Sequence, residues 1–153
     1  MQQLLMSLGP SLVTAFVTSW LTVRLSLKKF HSERWWERKA EAYSKIIEAF
    51  HDLLSYYNAL AEDYLTENGV PQQRFDELKA RYESARSDVD RATSIGAYII
   101  SNEASEALTR YSKRPRLKWR DNAPFDFYDN EAVHCRTTLD RLRQLAKKDL
   151  KVA

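Results

Sequence analysis

The sequence predicts an all-α protein: an N-terminal transmembrane helix that continues into an antiparallel three-helix cytoplasmic bundle. Three observations carry this expectation. Met1 to Val23 holds no charged side chain, and cations follow at once. Beyond them, apolar residues recur at alternating steps of three and four, the period of helices buried along one side. Gly (3) and Pro (4) are scarce in 153 residues, 29% of which are charged, so the chain has few turns. This length has room for one domain.

Residues 1–27 are expected to form the membrane helix and its flank. Twenty-three uncharged residues reach roughly 34 Å as a helix, against a hydrocarbon core of about 30 Å. A cleaved secretory signal needs a basic start and a small-x-small site. Gln2 and Gln3 are not basic, and no such site follows the apolar run. Arg24, Lys28 and Lys29 lie only on the C-terminal side, which predicts a cytoplasmic C-terminus and contact with anionic headgroups. Trp20 suits the same interface, and Pro10 falls in the outer part of the span.

Within this segment Ser11, Thr14, Ala15, Thr18, Ser19 and Thr22 share one arc of roughly 140° at 100° per residue. Small and hydroxyl residues at this spacing let membrane helices approach and bond across the contact. The expectation is self-association or a partner helix. The blander reading is that each hydroxyl satisfies its own helix carbonyls.

Residues 28–153 are expected to be the bundle, with helices at about 30–67, 72–112 and 129–151 and a basic loop at 113–125. The first seam runs Trp36, Ala40, Tyr43, Ile47, Phe50, Leu54, Tyr57, Ala61, Tyr64, widened by Ile46, Leu53 and Leu60. Asn68-Gly69-Val70-Pro71 stops it. The second helix offers Phe75, Leu78, Tyr82, Ala85, Val89, Ala92, Gly96 and Ile99, then drifts through Ile100, Ala104, Leu108 and Tyr111. Pro115 and Pro124 bracket the loop. The third helix, capped at Asp129 or Asn130, offers Ala132, Cys135, Leu139, Leu142 and Ala146.

The juxtamembrane "RWWERKAEAYSKIIEAFHDL" and the closing "AKKDLKV" resemble small, uncharacterised bacterial single-pass membrane proteins with a helical cytoplasmic domain. That resemblance implies this architecture and a bacterial inner membrane. It brings no catalytic residues.

The chemistry-bearing residues form no catalytic constellation, and no cofactor is implied. Two Glu-x-x-His pairs, Glu48–His51 and Glu131–His134, match the pattern of di-iron bundles. By helical rise they fall about 20 Å apart in an antiparallel bundle, so a metal-dependent enzyme is the lesser reading. The lone Cys135 excludes an intrachain disulfide and reads as a buried thiol.

The net charge is only +3, but Lys113-Arg-Pro-Arg-Leu-Lys-Trp-Arg120 holds five cations in eight residues. If the second helix returns to the bilayer, this loop faces it. Lys113, Arg114, Arg116, Lys118 and Arg120 then meet anionic headgroups while Leu117 and Trp119 dip into the interface. Nucleic acid is the weaker alternative for the same residues. The function expected is a membrane-anchored, non-catalytic scaffold or regulatory protein working through helix–helix and membrane-surface contacts. The alternative is an oligomerising effector whose hydroxyl face lines a pore.

Overall fold

The computed structural model describes the backbone of residues 2–66, 69–95, 98–120 and 122–152. Early in the first helix, the side chains described are those of 19, 20, 22–24, 26, 29, 30 and 33 onward. Four α-helices follow in order: α1 Gln2–Thr66, α2 Gln72–Ile95, α3 Asn102–Lys113 and α4 Pro124–Leu150. Among the described residues none lies in a strand. The chain divides into two compact units, Met1–Glu37 and Arg38–Ala153.

In the first unit the described side chains of α1 pair along their own helix. The Arg24 guanidinium lies 5.0 Å from the Trp20 ring centre, and that of Arg34 lies 4.7 Å from Phe30. Lys29 reaches Glu33 at 3.8 Å. These are four-residue spacings, at which helix side chains are neighbours.

The expected membrane placement does not stand. Among the described residues no helix is long and apolar enough to cross a membrane. This overturns the reading as a single-pass inner-membrane protein with 1–27 as its span. A span needs about 20 predominantly apolar residues. The described side chains from 19 to 30 instead include Ser19, Thr22, Arg24, Ser26 and Lys29. The side chains of Ser11, Thr14, Ala15, Thr18 and Lys28 lie outside the described residues.

In the second unit the three-helix expectation becomes four helices running alternately up and down. Tyr43 of α1 meets Ser101, before α3, and Asp149 of α4. Phe50 packs edge-on against Tyr111, the end of α3, with ring centres 4.8 Å apart. Tyr57 meets Tyr82 of α2, and Tyr64 stacks on Tyr128 of α4. So α3 runs parallel to this part of α1, while α2 and α4 run antiparallel to it. The expected helix 72–112 is two helices, because the chain reverses between Ile95 and Asn102. Ser101 caps the new start: its Oγ accepts from the Ala104 N–H at 3.4 Å.

Each helix gives one face to a shared core. Phe50, Leu108, Cys135 and Leu142 are fully buried, joined by Tyr43, Leu53, Val89, Ala104 and Leu139. Burying each large side chain contributes about 1.5–3 kcal/mol. The α1 seam fades at both ends of its expected run, for Trp36 and Tyr64 are half exposed.

A polar clasp closes the end near Tyr43. The Tyr43 hydroxyl donates to Asp149 Oδ2 at 2.8 Å and accepts from the Ser101 N–H at 3.3 Å. Lys39 adds an ion pair to Asp149 at 3.5 Å. Lys148 reaches Glu103 at 2.8 Å, and this hydrogen bond holds the Glu103 carboxyl below the usual carboxylate range. At the opposite end, Gly69 sits at φ +68°, a conformation that disfavours L side chains. The Pro71 carbonyl then accepts the first α2 bond, from Phe75 N–H at 2.9 Å.

Candidate functional site

The basic loop lies at the end of the bundle where α1 terminates. Its premise as a return to the start of the bundle fails, because α3 has already reversed the chain. After Lys113 the backbone leaves the helix and climbs to Tyr64. Trp119 packs against three rings there: Phe127 at 5.4 Å, Tyr128 at 5.3 Å and Tyr64 at 6.4 Å between centres. Tyr64 and Tyr128 stack at 5.7 Å with 19° between planes. Burial first, then the neighbouring tyrosines, pushes the Tyr128 phenol up to about 12.

Trp119, Tyr64, Leu65 and Leu117 remain 44%, 46%, 64% and 37% exposed. Trp119 and Tyr64 meet at this end, and Leu65 and Leu117 adjoin them in the chain. Lys113, Arg116, Lys118 and Arg120 of the same loop are all exposed. Among the described residues none of these four has an ion-pair partner. The loop thus carries exposed cations beside exposed apolar side chains.

Arg114 departs from the expected surface role. Its guanidinium is folded inward, with a side chain 7% exposed, and Nη2 donates to Glu131 Oε2 at 2.5 Å. Nη1 donates to the Tyr111 carbonyl at 2.5 Å, and the group lies 3.8 Å from the Tyr111 ring centre. It cannot meet a headgroup from there. Its work is to pin the root of the loop to α4.

The remaining expected residues lie elsewhere. Arg24, Lys29, Ser19 and Thr22 are exposed on the first unit's part of α1. Tyr64, Leu65, Phe127 and Tyr128 were not singled out by sequence as part of a surface. The signal for Phe127 and Tyr128 was "FDFYD" directly after Pro124, an aromatic run at the true start of α4.

The two Glu-x-x-His pairs do not converge. Glu131 is 2% exposed and committed to Arg114, while His134 is exposed. His51 is also exposed and lies 2.8 Å from Arg143 Nη2. Among the described residues no three His, Cys, Asp or Glu side chains are grouped to hold a metal ion. Cys135 donates to the Phe50 carbonyl at 3.3 Å, and burial pushes its thiol up to about 12. A thiol held protonated is a poor nucleophile.

A second concave feature lies between α1, α2 and α3. It encloses about 220 Å³. Leu53, Val89 and the rings of Tyr57 and Tyr111 give it an apolar floor, while Tyr82, Arg86, Asp90, Ser112 and Arg116 supply polar groups. The Tyr57 hydroxyl donates to that of Tyr82 at 3.4 Å. Burial raises the Tyr57 phenol above its ordinary value, and the bond to Tyr82 adds to this.

Comparison with known proteins finds no match: no family model fits the chain, and neither a curated protein nor a solved structure is similar to it.

Proposed function

We propose that this chain is a non-catalytic helical scaffold whose basic, aromatic end docks peripherally on an anionic lipid surface. One observation supports the reading: the exposed Lys113, Arg116, Lys118 and Arg120 share one short loop with the exposed Leu117 and Trp119, and Trp119 packs on Tyr64 at the end of α1. Cations near an anionic leaflet contribute about 1 kcal/mol each. Aromatic and aliphatic side chains add the apolar burial that a headgroup region provides. The two leucines favour a lipid surface over single-stranded nucleic acid. Bases need open aromatic faces to stack upon, and Trp119 already spends part of its surface on three neighbouring rings. A spanning segment forms no part of this reading.

The test is co-sedimentation of the full chain with phosphatidylcholine vesicles, with and without phosphatidylserine. Binding is expected only with phosphatidylserine, and it should weaken as salt rises, since screening acts within about 8 Å at physiological ionic strength. The R116S/K118S/R120S variant should lose it. The R24S/K29S variant, altered in the other unit, should keep it. Equal binding by the parent and the triple variant would overturn the proposal. An oligonucleotide bound tightly at physiological salt, with no vesicle binding, would transfer the surface to nucleic-acid recognition.

A further inference from the structure

The cleft between α1, α2 and α3 has a chemistry of its own and shares only Arg116 with the proposed docking surface. Its donors outnumber its acceptors. Arg86 and Arg116 both line it, against the single carboxylate of Asp90. Among the described residues neither arginine has an ion-pair partner. The Tyr57 hydroxyl spends its proton on Tyr82, which leaves the Tyr82 proton free to donate into the opening. The Ser112 hydroxyl stands on the same wall.

The floor is of the opposite character. Leu53 is 3% and Val89 3% exposed, and Tyr57 and Tyr111 are 4% and 6% exposed. Only their edges reach the opening, a narrow apolar strip below the rim of donors. The Tyr82 ring is braced from outside by Tyr56, stacked at 4.3 Å, and Tyr57 meets it edge-on at 5.6 Å. The Tyr82 side of the wall is therefore held in place before any ligand arrives.

We infer that this cleft is a binding site for a small aromatic anion: a single ring carrying a carboxylate or phosphate. The ring would rest on Leu53, Val89 and the tyrosines, as apolar bodies do in preformed pockets. The anionic group would lie at the rim, between the Arg86 and Arg116 guanidinium groups and within reach of the Tyr82 hydroxyl. Arginine suits this role, because its planar fork binds carboxylate or phosphate with two parallel hydrogen bonds. The volume of about 220 Å³ is of the size of one ring with its substituent.

The test uses benzoate and phenyl phosphate as probes on the full chain, followed by amide shifts in ¹H–¹⁵N spectra. Saturable shifts are expected at Val89, Asp90, Tyr111 and Ser112. Benzylamine, with the same ring and the opposite charge, should produce none. The R86A variant, which leaves the docking end untouched, should bind the anions at least about tenfold more weakly, the loss of one charge-assisted contact. Y82F should weaken binding with the fold intact, reporting the hydroxyl separately. The inference is overturned if neither anion gives saturable shifts, if benzylamine binds as well as benzoate, or if R86A binds like the parent.

Discussion

Arg114 and Glu131 form a buried ion pair, Nη2 to Oε2 at 2.5 Å, with side chains 7% and 2% exposed. It joins the last turn of α3 to the second turn of α4. It also fixes where the basic loop departs, since Arg114 is the first residue after α3. The pairing is incomplete: Arg114 Nε and Glu131 Oε1 have no hydrogen-bond partner among the described residues.

Removing one member alone strands a charge in the core. Arg114→Met or Glu131→Leu should each cost about 3–5 kcal/mol. The double variant should cost less than their sum, because it leaves no buried charge and only the Tyr111 carbonyl loses its partner. Urea unfolding of all four proteins closes the cycle. Additive costs would mean that the two side chains act independently.

The helix ends give two opposite and smaller effects. Lys151 ends α4 at φ 54°, ψ 38°, with its N–H directed at the Lys147 and Lys148 carbonyls. A non-glycine residue is strained there, so Lys151→Gly should stabilise by about 1 kcal/mol. Gly69 sits at φ +68° with nothing within 4 Å of an added Cβ. Gly69→Ala meets no clash, and its cost of about 1 kcal/mol is purely conformational. Thermal unfolding of the two variants should move in opposite directions.

The bundle should fail in alkali in a defined order. Burial pushes the Cys135 thiol from 9.0 up to about 12. It also raises the Tyr57 and Tyr111 phenols above 10.0. In every case the folded state holds the proton more tightly than the unfolded chain. The associated stability is complete below pH 9 and is lost as pH rises towards 12. Between pH 9 and 10 the thiol alone should remove about 1 kcal/mol. Cys135→Ala should therefore stay level to near pH 10, where only the tyrosines begin to act. Identical pH profiles for variant and parent would contradict this account of the thiol. At neutral pH the parent thiol should react with a disulfide reagent no faster than the chain unfolds.

The helical period of α1 made its core face readable: Tyr43, Phe50, Tyr57 and Ala61 are buried, as are Ile46, Leu53 and Leu60 beside them. The α4 face was equally plain, with Ala132, Cys135, Leu139, Leu142 and Ala146 all buried. The reversal before Asn102 was missed, because apolar spacing continues across it from Ile99 to Ala104. Periodicity reports which residues are buried and is blind to a change of direction between two buried helices. Ser101 ahead of Asn102 and Glu103 was the local cue, a capping serine with an acid in the first turn. That one miss displaced the basic loop to the wrong end of the bundle. The inward turn of Arg114 was not readable at all, since five neighbouring cations look alike in sequence. Only the proximity of Glu131, seventeen residues on, distinguishes it.

The most direct test of the docking reading is the emission of Trp119. In a full chain carrying Trp20→Phe, Trp35→Phe and Trp36→Phe, it is the sole tryptophan. The ring starts 44% exposed beside Leu117 and the cations of the loop. With phosphatidylserine-containing vesicles its emission should move to the blue, and lipids brominated near the headgroup should quench it. High salt should reverse both changes. Emission that stays unshifted and unquenched at saturating anionic lipid would contradict the proposal.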